Sequence, residues 1–322
     1  MPRTTPFLKW VGGKSQLLRV LSKLITHKSL TYYEPFVGGG ATFFHFADRR
    51  RFQRAVLNDY NPELINLYEV VRDRLPELLA RLDGYREDED WATEAQFKRV
   101  RAMEFLGHAT VERAARTIYL NKTAFNGLYR VNRQGKFNSP WGKYENPMLY
   151  DRENILACSE ALQRFATLRV GGYEAAVHDA QEGDIVYFDP PYVPVSETSN
   201  FTSYSSQFGE DEQRALAALF RDLVKRGVMC IESNSDAPLV HELYQGFDLH
   251  VVGARRNVNS KGDKRGSVNE LVVVGQPAQL KIDVPAHNAL PDLFPLECAD
   301  CGTFYSSSDI VCTKCGSTRT QE

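Results

Sequence analysis

Asp184-Ile185-Val186-Tyr187-Phe188-Asp189-Pro190-Pro191-Tyr192 is the stretch from which the fold can be read. The apolar run Ile185 to Phe188 is short, β-branched and aromatic, the pattern of a buried strand. Two consecutive prolines cannot continue it, because each lacks a backbone donor and fixes φ. Asp189 and Tyr192 are therefore expected at the carboxyl end of a strand, where open α/β sheets place ligands. The prolines form a stiff turn and leave the Pro190 carbonyl able to accept a hydrogen bond. A carboxylate and a carbonyl are two acceptors, which suits an exocyclic amino group. The tyrosine beside them offers a face on which a flat base can stack.

Outward from this stretch the chain alternates strand and helix signals. Leucines 17, 18, 21 and 24 predict a helix over 14–25, and 32–37 reads as a strand running into Gly38-Gly39-Gly40. A helix at 41–47, a strand at 54–57 and a helix at 62–72 with Pro62 in its first turn follow. The rhythm returns with a helix near 151–164, strands near 168–171 and 185–188, a helix near 210–226, a strand at 228–233 and a helix at 236–244. Strands at 247–252 and 268–274 leave no room for a crossover helix, so they should pair antiparallel. This is a doubly wound, mostly parallel α/β sheet.

Residues 96–149 interrupt the rhythm. Helices near 94–106 and 110–121 precede a polar stretch in which 128–132, Arg133-Gln134-Gly135 and 136–139 suggest a β-hairpin. The expected organisation is a catalytic domain from 1–95 and 150–275, an insertion at 96–149, a linker at 276–296 and a small module at 297–322. Pro277, Pro285, Pro291 and Pro295 mark the linker.

With 322 residues, 43% hydrophobic and 25% charged, the composition is that of a globular protein with a substantial core. No apolar stretch approaches the length of a membrane span, and residues 1–5 lack the apolar core of a signal peptide, so a cytoplasmic setting is expected. The net charge of −2 does not advertise a polyanion partner, but its distribution does. Residues 98–143 hold ten Lys/Arg against two Glu, and 255–265 hold five against one Asp. Local patches of this kind bind phosphates; a solvated helical face with a basic loop is the plainer reading of equal weight.

Cys158 and Cys230 lie in apolar patterns and read as core thiols. Cys298, Cys301, Cys312 and Cys315 form two Cys-x2-Cys pairs ten residues apart. In a reducing compartment that spacing predicts a closed tetrahedral zinc site, as in zinc ribbons.

The glycines at 38–40, after a strand and before a helix, let backbone approach a ligand closely. Asn58-Asp59 ends the next strand, 21 residues after Gly38, where nucleotide-binding sheets place the acid that bonds ribose hydroxyls. No full dinucleotide fingerprint is present, so an adenosyl ligand without phosphates fits better. Asp59 can equally be a cap before Asn61-Pro62. Trp10 can stack on an adenine and Lys14 can meet a carboxylate; the plainer readings are a core Trp and a surface Lys.

Taken together, Trp-Val-Gly-Gly-Lys (10–14), Glu-Pro-Phe-Val-Gly-Gly-Gly (34–40), Asn-Asp-Tyr-Asn (58–61), Phe-Asn-Gly-Leu-Tyr-Arg-Val-Asn (125–132) and Asp-Pro-Pro-Tyr (189–192) resemble the Dam-type (D12 class) DNA adenine-N6 methyltransferases. The resemblance runs from about Thr5 to about Val274 and does not cover the cysteine module. It implies a class I S-adenosylmethionine-dependent methyltransferase fold. It implies that Trp10, Lys14, Asp59 and Asp189 contact S-adenosylmethionine, that Phe36, Gly38 and Gly40 line its pocket, and that Tyr173 stacks on it. It implies that Asp189, Pro190 and Tyr192 act on the flipped adenine. It implies further that Asn126, Leu128, Arg130, Pro140 and Tyr144 read or abut bases in duplex DNA, with GATC as the expected site. Arg130 contacting only phosphate is the plainer alternative. An amino-methyltransferase acting on RNA or single strands and a catalytically silent DNA-binding regulator are the competing functions. The insertion with its DNA-type hairpin argues against the first, and the intact motifs against the second. Such an enzyme either stands alone or partners a cognate restriction endonuclease, and the sequence leaves both open. Leu290-Pro291-Asp292-Leu293-Phe294 partly resembles peptides that dock on the bacterial sliding clamp, although an apolar anchor onto the main domain accounts for it more simply.

Overall fold

Ile185–Phe188 is a strand buried along its whole length, with a parallel neighbour on each side. The computed structural model describes residues 4–10, 15–105, 110–132, 134–195, 208–255 and 267–277, and the backbone of 296–297 and 304–305. The chain divides into two compact units, Met1–Lys281 and Ile282–Glu322.

In the first unit the strands are β1 (Ser29–Glu34), β2 (Phe52–Asp59), β3 (Ala166–Val170), β4 (Ile185–Phe188), β5 (Met229–Ser235), β6 (Asp248–Arg255) and β7 (Ser267–Gly275). The helices are α1 (Ser15–Leu24), α2 (Ala41–Asp48), α3 (Pro62–Asp73), α4 (Leu75–Arg86), α5 (Glu94–Ala102), α6 (Thr110–Thr123), α7 (Arg152–Phe165), α8 (Tyr173–Ala176), α9 (Glu210–Lys225) and α10 (Pro238–Leu243). The seven strands form one sheet in the order β3-β2-β1-β4-β5-β7-β6, and only β7 runs against its neighbours β5 and β6. This is the class I methyltransferase arrangement expected from the sequence. Chain order reverses between β1 and β4, which makes the carboxyl ends of those strands the place for a ligand.

Local chemistry explains the elements. Asn61 caps α3 by accepting from the Glu63 N–H at 3.0 Å, with Pro62 inside the first turn. Thr93 and Asp151 cap α5 and α7 in the same way. α9 buries Gln213, Leu216, Ala217, Phe220 and Leu223, one stripe at helical spacing, against the sheet. On the other face Tyr32 stacks on Phe52 at 5.2 Å, and Phe52 on Phe43 at 5.9 Å. Burial of such rings on both faces supplies most of the driving force for this architecture.

The two aspartates of the opening stretch do different work. Asp184 lies before β4, buried, and accepts from the Thr31 N–H at 2.9 Å and the Gln181 N–H at 3.0 Å. It pins β4 to β1. Asp189 follows the last residue of β4, partly exposed.

Expected and observed elements differ most at three places. β1 covers 29–34 rather than 32–37, because Pro35 has no N–H to continue the ladder; Val37 N–H still reaches the Asn58 carbonyl at 2.9 Å. Helix α4 was not expected, although Pro76 in its first turn and buried Leu75, Leu78, Leu79 and Leu82 carry the signal. The hairpin forms in a reduced version, with isolated antiparallel bridges at Val131–Phe137 and, at its base, Ala124–Trp141. Cys158 and Cys230 are buried free thiols, as expected. In the second unit Leu296–Glu297 (β8) pairs antiparallel with Phe304–Tyr305 (β9). No helix among the described residues is long and apolar enough to cross a membrane.

Candidate active site and recognition hairpin

The loop after β1 turns on glycine. Gly38 and Gly40 have φ of 48° and 70°, in the left-handed region that side chains disfavour. A Cβ on Gly38 would meet Trp10 Cδ1 at 2.9 Å, and one on Gly40 would meet the Tyr68 hydroxyl at 2.7 Å. The Tyr68 hydroxyl donates to the Gly38 carbonyl at 3.0 Å. Across the loop, Asp59 at the end of β2 accepts from the Gly38 N–H at 3.1 Å and the Asn61 N–H at 3.0 Å. Burial raises its carboxyl to about 6, against the pull of these backbone donors. Asp59 is thus both a loop brace and a carboxylate whose charge the protein alone does not fully stabilise.

Trp10 covers this loop and stacks on Tyr129 at 5.4 Å with 25° between the rings. Phe36 stacks on Tyr173 at 5.5 Å and meets Phe208 edge-on at 5.8 Å, so two of the expected pocket aromatics come together with a third. Lys14 lies outside the described residues.

At the end of β4, Asp189 Oδ1 accepts from the Ser233 hydroxyl at 2.7 Å, and that hydroxyl is 2.9 Å from the Tyr187 phenol. The main chain beyond is held at two points. Gln213 donates to the Pro191 carbonyl at 2.8 Å. Val193 donates to Asn234 Oδ1 at 3.0 Å and accepts from the Ser235 hydroxyl at 2.6 Å. Burial, then the Asp189 charge, holds the Tyr192 phenol well above its ordinary value. Behind the loop, burial raises Glu232 to about 7 although Tyr244 and Asn234 donate to it.

The expected base-reading residues gather on one hairpin. Asn126 has φ of 55°, and its N–H donates to the Tyr144 hydroxyl at 3.1 Å. Pro140 accepts from the Phe125 N–H at 2.9 Å, and Leu128 accepts from the Ser139 hydroxyl at 2.6 Å. Arg130 is exposed and braced by Asn138, to whose Oδ1 its Nε donates at 2.8 Å. Asn121 staples the N-terminal segment to this hairpin, accepting from Lys9 N–H at 2.9 Å and donating to the Lys9 and Gly127 carbonyls at 2.7 and 2.9 Å. A groove of about 360 Å³ lined by Lys9, Lys122, Tyr144 and Met148 opens here. Burial, then the charge of Lys9, lowers Lys122 to about 8.

Sequence reasoning missed Asn121, Tyr129, Gln213, Ser233 and Asn234. Tyr129 lies within the quoted 125–132 motif but carried no role there, and the other four sit in no glycine or proline signature; their decisive partners come from distant segments, as Lys9 does for Asn121, Pro191 for Gln213 and Asp189 for Ser233. It also missed Phe125, whose ring is 54% exposed beside the hairpin and so can stack on a base. Cys298, Cys301, Cys312 and Cys315, the clamp-like 290–294 and most of the basic loop 255–265 lie outside the described residues.

Comparison with known proteins bears on this arrangement. Residues 10–258 match the family described as D12 class N6 adenine-specific DNA methyltransferase. The type II methyltransferase M1.LlaDCHI of Lactococcus lactis subsp. cremoris is 42% identical, over 83% of this chain and 94% of its own. The type II methyltransferase M.MjaIII of Methanocaldococcus jannaschii is 38% identical, over 84% and 98%. The DNA adenine methylase of Escherichia coli (strain K12) is 34% identical, over 86% and 97%.

Proposed function

The chain belongs to the D12 class of N6 adenine-specific DNA methyltransferases, and from that membership we propose that it methylates adenine within GATC in duplex DNA after turning the base out of the stack. The observation that carries the reading is the placement of Asp59 and Asp189 at the carboxyl ends of β2 and β4, on either side of β1, beside the point where chain order reverses.

The residues at this point fit S-adenosylmethionine. The glycine turn lets backbone approach it, Asp59 accepts from its ribose hydroxyls, and Trp10, Phe36 and Tyr173 offer flat faces. Lys14 pairs with its carboxylate. When bound, it supplies an electrophilic methyl group on a sulfonium.

Adenine N6 is conjugated with its ring and is a weak nucleophile. Asp189 and the Pro190 carbonyl accept hydrogen bonds from its two N–H groups, which favours a pyramidal nitrogen whose lone pair can attack. The methyl group that S-adenosylmethionine would supply goes to N6 with sulfur keeping the bonding pair, and the surplus N6 proton, held in the hydrogen bonds to Asp189 and the Pro190 carbonyl, would then pass to solvent. Orientation supplies much of the rate. The target atom is out of reach in a stacked duplex, so the base turns out onto Tyr192. Asn126, Leu128, Arg130, Pro140 and Tyr144 read or abut the flanking bases, Arg130 at a guanine.

Four thiolates at Cys298, Cys301, Cys312 and Cys315 hold one structural zinc, a reading supported by their spacing and by the preference of that donor set for zinc. A cytoplasmic setting keeps such thiols reduced. A paired restriction endonuclease, and a sliding clamp met through 290–294, extend the same reading to partners.

The test is methylation of random-sequence duplex DNA by the full-length protein, followed by mapping of the modified adenines. GATC should dominate, Asp189→Ala should be inactive yet bind DNA, and 2-aminopurine at the target should brighten on binding. Modified adenines scattered without sequence preference, or an active Asp189→Ala, would remove the reading.

A further inference from the structure

We propose that Ser233 is a positioning residue for methyl transfer. By donating its one proton to Oδ1 of Asp189, it fixes the rotation of the carboxylate that receives the adenine amino group. This rests on the role of Asp189 given above.

The sheet register brings the residues together. Phe188 pairs with Glu232 and Tyr187 with Ile231 across the parallel strands β4 and β5. Side chains alternate between faces, so Tyr187, Asp189, Ile231 and Ser233 share one face, while Phe188 and Glu232 share the other. Ser233 thus sits one step past the last paired residues, opposite Asp189. It is fully buried, as is Tyr187.

The direction of the bonds follows from hydrogen counting. A serine hydroxyl carries one hydrogen and two lone pairs, and an ionised carboxylate only accepts. The 2.7 Å bond to Asp189 therefore uses the Ser233 hydrogen. The 2.9 Å contact with Tyr187 must then be donated by the phenol. Tyr187, Ser233 and Asp189 form a directed chain that ends on a charge, in which each bond polarises the next.

The bond acts on the side chain, where the other contacts of the loop act on the main chain. Pro190 and Pro191 stiffen the main chain but do nothing to the side-chain torsions of Asp189. Gln213, Asn234 and Ser235 likewise hold the main chain, at Pro191 and Val193. The Ser233 hydroxyl bonds the carboxylate itself. A carboxylate free to rotate would reach the amino group in only part of its conformations, which lowers the rate of the chemical step without weakening binding.

The experiment uses the full-length protein and a duplex whose adenine the wild type is shown to methylate. Single-turnover rates and steady-state kcat and KM are compared for wild type, Ser233→Ala, Ser233→Thr, Tyr187→Phe and the double variant. Ser233→Ala should lower the single-turnover rate about ten- to a hundredfold, with KM for DNA and for cofactor within about twofold. Ser233→Thr, which keeps the hydroxyl, should recover most of the rate. Tyr187→Phe should cost less than Ser233→Ala, and the double variant should be no slower than Ser233→Ala, because both act through one bond. An unchanged rate in Ser233→Ala, a loss that appears in KM, or additive losses in the double variant overturns the proposal. Should Ser233→Ala fail to fold, Tyr187→Phe decides: a loss in rate alone supports the chain, and no loss overturns it. If the wild type methylates no adenine, the functional reading fails instead, and the two failures are distinct.

Discussion

The Tyr129 ring lies stacked on Trp10, 5.4 Å between centroids, and its phenol reaches the side chain of Asn61. One residue of the recognition hairpin therefore touches both the lid over the glycine loop and the motif that holds Asp59. An aromatic pair of this kind contributes about 0.5–1.5 kcal/mol beyond its buried area. Tyr129→Ala should weaken cofactor binding about two- to tenfold, and Tyr129→Phe, which keeps the ring, less. Calorimetric titration with S-adenosylhomocysteine measures it. Equal affinity in all three proteins would show that the hairpin does not support the pocket.

Asp59 sets a pH dependence. Burial raises its carboxyl to about 6, so the unliganded protein holds it partly neutral below that pH. Ribose hydroxyls donate best to the charged form. Cofactor affinity should therefore rise as pH climbs from 5 through 6 and level off above 7, with a proton released on binding at the lower end. Asp59→Ala should bind weakly at every pH and lose the slope. A flat profile in the wild type would leave Asp59 as a brace only.

Arg130 is held in place by Asn138, which accepts from its Nε at 2.8 Å, while its carbonyl accepts from Nη2 at 3.2 Å. On the proposed reading, a guanidinium braced in this way meets one base rather than sampling the backbone. Arg130→Ala should relax discrimination at a single guanine by about 1–3 kcal/mol, and Asn138→Ala should do so more weakly. Binding to duplexes altered one base pair at a time measures it. Equal losses on cognate and unrelated duplexes would make Arg130 a phosphate contact.

Glu232 predicts a stability profile. Its folded-state value of about 7 lies above the ordinary 4.5, so its contribution is fully present below 4.5 and is lost as pH rises through 7. Glu232→Gln retains an acceptor for Asn234 and a partner for Tyr244 without the buried charge. It should be more stable than wild type at pH 8 by about 1–3 kcal/mol, and similar at pH 5. Urea melts at the two pH values test this; a gap that is equal at both contradicts the assignment.

The cysteine module should be separable. One zinc per full-length chain is expected, and none after truncation behind Gly275, with the methylated sequence unchanged. A truncated protein that retains the zinc, or a reduced full-length protein without any, defeats the zinc reading.

Much of the architecture was legible because its signals are local. Ile185–Phe188 followed by two prolines needs no partner to be recognised as a buried strand with a stiff exit. Glycines at 38–40 and an acid at 59 announce themselves by backbone chemistry and spacing. The hairpin residues were found through their motif, but not the side chains that hold them. Asn121 grips Lys9 from 112 residues away, and Tyr129 meets Trp10 across the same gap between segments. Pairings over such distances leave no periodicity for a sequence to display.

By itself the sequence determined where strands end in glycine, acid or proline, the β-loop-α order of the sheet and the family to which the chain belongs. Each of these depends on φ restriction, hydrophobic period or motif within a few residues. The tertiary structure alone decided how the chemical groups are aimed. Ser233 reaches Asp189 only because β5 lies beside β4 in a parallel register, and Gln213 reaches Pro191 only because α9 packs over that edge. A side chain's orientation is set by the neighbours that burial brings to it, and those neighbours are chosen when the sheet closes, not when the chain is written.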